Sequence, residues 1–169
     1  DDDRKALVET LLTLYEKEKS LANDLNLTAR HKKLAHPGLA EQLRPRIIET
    51  SKSFIARKVA FDIAEACGLK ELQKDIVDIA LDPQQTQPIR VWAAYAINRF
   101  GDDEFKAKLK PLALGLAGDD PDDELKGCGL RAVWPTHISA SELFSVCTYP
   151  KQESLFGAYK IFITRELMD

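Results

Sequence analysis

The sequence predicts an all-α fold: a right-handed α-solenoid of antiparallel helix pairs. Three observations carry that expectation. Between Gln87 and Phe100, the residues Ile89, Trp92, Ala93, Ala96, Ile97 and Phe100 fall at the i, i+3, i+4, i+7, i+8 and i+11 positions of one helical face. Gly101 ends that helix, the acids Asp102 and Asp103 offer an N-cap, and Phe105, Leu109, Leu112 and Ala113 mark a second helix. The same pair recurs 33 residues earlier, with Ala56, Val59, Ala60, Ile63, Ala64 and Cys67 under the first stripe and Leu72, Ile76, Ile79 and Ala80 under the second.

The register extends in both directions. Arg90 falls on Arg57 and Gly101 on Gly68. A further 33 residues back stand Leu39, Leu43, Arg46 and Ile47, and Leu43-Arg44-Pro45 echoes Leu109-Lys110-Pro111. Forward, the offset grows to 36 and gives Leu125, Cys128, Gly129, Ala132 and Val133. One position is small in every copy (Ala60, Ala93, Gly129), which lets neighbouring helices approach closely. Helix pairs at this period cannot bury their apolar faces alone and stack on one another. The large and small residues of a tetratricopeptide repeat and the Thr-Pro-Leu-His of ankyrin are both missing. The remaining description is HEAT-like, of the ARM-type superhelix class, with Asp82-Pro83 and Asp120-Pro121 as exits from the pairs.

In chain order, residues 4 to about 22 read as a helix with Leu7, Val8, Leu11, Leu12 and Tyr15 on one side, and residues 1–36 as an N-terminal helix or cap. His36-Pro37-Gly38 is a turn leading into a helix over Leu39–Glu49. Residues 37–135 hold the repeats: Thr50 to Ser53 caps the helix that ends at Gly68, Leu69 to Leu81 returns, and Asp82 to Pro88 connects. Pro45 and Pro111 fall inside expected helices, where each should bend or break the helix. Over 136–169 the repeat degenerates. Trp134-Pro135-Thr136-His137 interrupts it, and Ser139 with Glu142 makes a capping box for a short helix holding Leu143, Phe144 and Val146. A last helix over 152–168 carries Leu155, Phe156, Tyr159, Phe162, Ile163 and Leu167.

With 169 residues, of which 44% are hydrophobic and 30% charged, the chain can bury a continuous core as a single α-solenoid domain. A net charge of −3 argues against a nucleic-acid partner, since such modules carry a strongly basic balance. The longest like-charge run is acidic, Asp119, Asp120, Asp122, Asp123 and Glu124. It opens the helix near Leu125, and capping and solvation are preferred there to a metal or basic-partner site. Three cysteines without CxxC spacing, two of them on apolar stripes, suggest buried thiols in a reducing, cytoplasmic setting. No run is long and apolar enough to span a bilayer. Asn26-Leu27-Thr28 fits a glycosylation acceptor but has no secretory context. The chain opens on Asp1-Asp2-Asp3 without an initiator Met, and we expect it to be a piece of a longer protein.

No catalytic constellation emerges. His31, His36 and His137 are isolated from any ligand spacing, so no metal is expected. Gly127-Cys128-Gly129 follows no strand and reads as close helix packing, and no P-loop pattern occurs. Ser, Cys and His form no nucleophile motif. We expect no enzyme, no cofactor and no small-molecule substrate. Trp92 reads as core, Trp134 as either core or surface, and Arg57 and Arg90 as hydrogen-bond ladders between repeats. The second helices of such arrays line a concave face, which would display Lys74, Asp78, Lys106 and Lys110. That mixed-sign surface suits a protein partner, or other domains of the same chain.

Three strings carry a family likeness: His36-Pro37-Gly38-Leu39-Ala40-Glu41-Gln42-Leu43-Arg44-Pro45; Asp62-Ile63-Ala64-Glu65-Ala66-Cys67; and Asp120-Pro121-Asp122-Asp123-Glu124-Leu125-Lys126-Gly127-Cys128. The third continues through Leu130-Arg131-Ala132-Val133-Trp134-Pro135 to Ser141-Glu142-Leu143-Phe144. Their order resembles the HEAT-repeat region of large bacterial NACHT-type (STAND) nucleotide-binding proteins, over roughly residues 34 to 160. The resemblance implies a scaffold or recognition arm of an intracellular sensor or signalling ATPase, with the nucleotide-binding motifs elsewhere. Two other functions fit an array of this kind, a HEAT-like DNA-binding enzyme of the alkylpurine glycosylase type and a pure structural spacer. The glycosylase would need a basic concave groove, which the mixed charges disfavour.

Overall fold

The structure is a computed structural model that describes residues 1–17, 31–151 and 157–167. The described residues form helices and turns, with no strand among them. They divide into two compact units, Asp1–Ile76 and Val77–Asp169.

In the first unit, α1 (Asp2–Lys17) and α2 (Leu39–Ile48) both pack on α3 (Phe54–Cys67). The amphipathic pattern dictates which faces meet: Val8, Leu12 and Tyr15 of α1 and Leu43 and Ile47 of α2 are buried, as are Val59, Ala60, Ile63 and Ala64 of α3. Ser53 caps α3 by accepting the Ala56 N–H at 3.2 Å, and the Ser53 N–H is held by Glu16 of α1 at 2.8 Å. Gly68 stops α3 in a left-handed conformation with φ +63°. Pro45 sits inside α2 without ending it, between Leu43 and Ile47, which are both fully buried. A 3₁₀ turn at Lys70–Leu72, with Leu72 buried, leads into α4 (Gln73–Leu81), which begins in the first unit, continues in the second, and buries Ile76, Ile79 and Ala80 as the stripe requires.

The second unit is arranged about α8 (Glu124–Val133). Against it pack α5 (Gln87–Phe100), α7 (Lys110–Ala113) and α10 (Ala158–Ile161); α6 (Asp103–Ala107) and α9 (Ala140–Val146) complete the unit, and α10 runs on into a π-helical turn, Phe162–Glu166. Close approach to α8 depends on its two glycines. A β-carbon on Gly127 would stand 2.6 Å from Tyr159 Cα, and one on Gly129 would stand 2.8 Å from the Leu112 carbonyl carbon and closer still to Ala113 N. The position that is small in every copy is buried each time, at Ala60, Ala93 and Gly129.

Several expectations need correction. The helix expected across Phe105 to Ala113 is two short ones, α6 and α7, because Pro111 has no N–H to continue a ladder and sits instead in the first turn of a new helix. Phe105 is consequently only half-buried. Trp92, expected in the core beside Val59 and Cys128, is half-buried, with its ring centroid 6.2 Å from that of Tyr95. Gly101 ends α5 in an extended conformation, φ −66°, without the left-handed turn of Gly68. The last helix begins at Ala158. Its expected beginning with Leu155 and Phe156, the end of the first helix beyond Lys17, and Asn26-Leu27-Thr28 all lie outside the described residues. No helix among the described residues is long and apolar enough to cross a membrane.

Candidate binding surface

The two recurring arginines make the same contact in each unit. Arg57 donates its Nε–H to the Ile47 carbonyl at 3.1 Å, and Arg90 donates its Nε–H to the Ala80 carbonyl at 3.0 Å, ten residues back in both cases. Both side chains are buried, at 4% and 3% exposure. Burial pulls each guanidinium below its ordinary pKa, since its charge is removed from water. Arg90 also donates to the Ala117 carbonyl. A buried guanidinium bonded to backbone carbonyls locks the end of one helix against the start of the next, so these residues fix helix order.

The acidic run at the start of α8 serves the same end. Asp120 accepts the Leu125 N–H at 3.1 Å and the Lys126 N–H at 2.7 Å, and Asp122 accepts the Glu124 N–H at 3.3 Å. These are first-turn donors with no partner within the helix. Gln87 of α5 donates to both carboxylates. Glu124 accepts from the Ala158 N–H at 2.8 Å and the Tyr95 hydroxyl at 3.2 Å, which ties α8 to α5 and α10. Burial raises the pKa of Asp120, of Glu124 and of the Tyr95 phenol, the last by the largest amount. Among the described residues, no group of three or more His, Cys, Asp or Glu side chains could hold a metal ion.

The residues expected on a binding face are distributed as follows. Lys74 and Asp78 are exposed on α4, Lys74 in the first unit and Asp78 in the second. Lys106 on α6 is half-buried, and Lys110 opens α7 and pairs with Glu142 of α9 at 2.8 Å. Lys106 and Lys110 therefore sit on separate short helices and do not share one regular helical face. The triplet echo has a structural counterpart: Arg44, which matches Lys110, pairs with Asp75 at 2.9 Å.

Periodicity did not point to the second cluster. Tyr95 projects from the flank of the α5 stripe, 5.4 Å from the Arg99 guanidinium and 6.0 Å from that of Arg131, with Trp92 beside it. Arg131 pairs with Glu166 at 2.8 Å. Trp, Tyr and Arg in one partly exposed patch are the residue types that dominate protein-binding energy. The available signal was composition on the helix flank: Trp92, Tyr95 and Arg99 recur at i, i+3 and i+7.

Fold and surface together define an all-helical protein whose buried polar groups serve packing and whose exposed face mixes charge with aromatic and guanidinium groups. No family model, curated protein or solved structure matches the chain.

Proposed function

We propose that this chain is a non-enzymatic, HEAT-like α-solenoid module that binds a protein partner or other domains of its own chain. In this reading it is the sensor or recognition arm of a larger bacterial NACHT-type signalling NTPase in the cytoplasm. The observation that carries the interaction role is the Trp92–Tyr95–Arg99–Arg131 cluster, a hot-spot composition on a half-buried helix flank. The arginine–carbonyl bond repeated at Arg57 and Arg90 supports repeating helix pairs, and the opposite charges of Lys74 and Asp78, both exposed on α4, support a protein partner over nucleic acid.

Amine-directed cross-linking of the full-length protein, read by mass spectrometry, tests this. Lys74, Lys106 and Lys110 are themselves reactive positions, and cross-links from them to another protein or a distant domain are expected. Trp92→Ala with Tyr95→Ala should then weaken the recovered contact at least tenfold, as loss of a hot-spot pair does. Absence of any such cross-link, or an unchanged contact in the double variant, refutes the proposal and leaves a spacer.

A further inference from the structure

Beside the first turn of α5 lies a cavity of about 430 Å³ lined by Pro83, Gln85, Gln87, Arg90, Gly118 and Asp119. Its size suits a small molecule. Arg90 is 3% exposed, and its hydrogen bonds go from Nε to Ala80 and from Nη2 to Ala117, both neutral carbonyls. Nη1 has no hydrogen-bond partner among the described residues and lies towards Gly118, where a β-carbon would stand 3.6 Å from it. Gly118, at φ +90°, keeps that approach open, since the same β-carbon would press on Pro83 Cβ at 3.1 Å.

The nearby carboxylates do not complete the guanidinium. Asp82 is held by the Gln84 N–H at 2.9 Å and by Gln85 at 3.1 Å, and Asp120 caps α8. Thr86 at the N-cap of α5 makes no side-chain capping bond, so the positive end of that helix also faces this region without a side-chain acceptor from its cap. The second residue of that helix is Pro88, which has no N–H to offer, so the receptor for an oxyanion is the open N–H pair of the buried cation.

We propose that this cavity binds a small monocarboxylate, its oxygens accepting from Arg90 Nη1. A single charge fits better than phosphate, because Asp119 on the rim and Asp82 and Asp120 behind it repel a dianion more strongly than a monoanion. This site is independent of the interaction role proposed above.

The test is a titration of the folded chain with sodium acetate against sodium chloride at matched ionic strength, read by NMR at the Arg90 Nε–H and the Gly118 amide. Saturable shifts with a Kd of roughly millimolar order are expected for acetate, and weaker or no saturation for inorganic phosphate. Arg90→Lys keeps the charge but loses the fork, and should abolish saturation. Asp119→Asn changes only an exposed rim charge and should tighten acetate binding about threefold, which keeps the test decisive if Arg90→Lys fails to fold. Equal, linear shifts in acetate and chloride, tighter binding of phosphate, or an unchanged affinity in Asp119→Asn would each overturn the proposal.

Discussion

Gly129→Ala sets two physical effects against each other, and its sign decides between them. Gly129 lies mid-helix in α8, where replacing glycine by alanine ordinarily stabilises by about 1 kcal/mol through backbone entropy and helix propensity. Here the added β-carbon would stand 2.8 Å from two atoms of Leu112 and nearer still to Ala113 N. Ala113 N is the nearest atom, and ordinary contact begins at 3.4 Å, so α7 and α8 must part by about 1.1 Å along their shared seam. The clash is with backbone, which has no rotamer to change. The seam also includes Leu109, Leu112, Leu125 and Cys128, all at or below 3% exposure, so separation loosens contacts along its length. Overpacking of this kind costs typically 1–3 kcal/mol and outweighs the propensity gain, for a net loss of roughly 1–2 kcal/mol. Urea denaturation followed by circular dichroism measures it, with Ser141→Ala, on the exposed side of α9, as the surface control. Wild-type or greater stability in Gly129→Ala would refute the claim that close approach, rather than glycine's neutrality, explains this residue.

Four further outcomes follow from the same contacts. Arg57→Met and Arg90→Met should each destabilise by about 2 kcal/mol, since each leaves a buried carbonyl without its donor; a loss at one position alone, in denaturant melts, would break their equivalence. Glu142 is held down to a pKa of about 2 by Lys110 and by the Ser139 cap. A depressed carboxylate stabilises fully above its unfolded value near 4.3 and loses that contribution as pH falls towards 2, so the α9 capping box should persist at pH 3 in a carboxyl NMR titration. Asp120 and Glu124 have raised values, so this pair favours folding less as pH rises through them; lowering the pH from 7 to 5 should leave α8 intact by amide exchange. Native-state alkylation at pH 8 should label Cys147 first and Cys67 more slowly, because burial raises the Cys67 thiol, and should reach the fully buried Cys128 only on unfolding.

The elements that periodicity and caps encode locally were legible in the sequence. Ser53, Gly68 and the Ser139–Glu142 box act through bonds spanning five residues or fewer, and each falls where the residue type demands. The split at Lys108–Leu109 was harder to see, because Leu109, Leu112 and Ala113 satisfy the helical stripe whether or not the backbone is continuous. Burial alone cannot distinguish one kinked helix from two. Trp92 exposes the same weakness on the surface side: its position on the stripe says core, yet its bulk exceeds the space that Val59 and Cys128 occupy, and the ring turns towards Tyr95. The Arg90 cavity was not visible in sequence at all. It requires Ala80, Gly118 and Asp119 to meet around one guanidinium, and the chain separation between them exceeds any helical or turn period. What the repeat did reveal was the equivalence of Arg57 and Arg90, and there the physics is shared: a long donor at that register reaches the carbonyl ten residues behind. Arg90 differs in having Gly118 beside it. A ladder residue that also borders a cavity can hold the helices together and still offer an unused N–H to a ligand, so a packing role for Arg90 is no argument against a binding one.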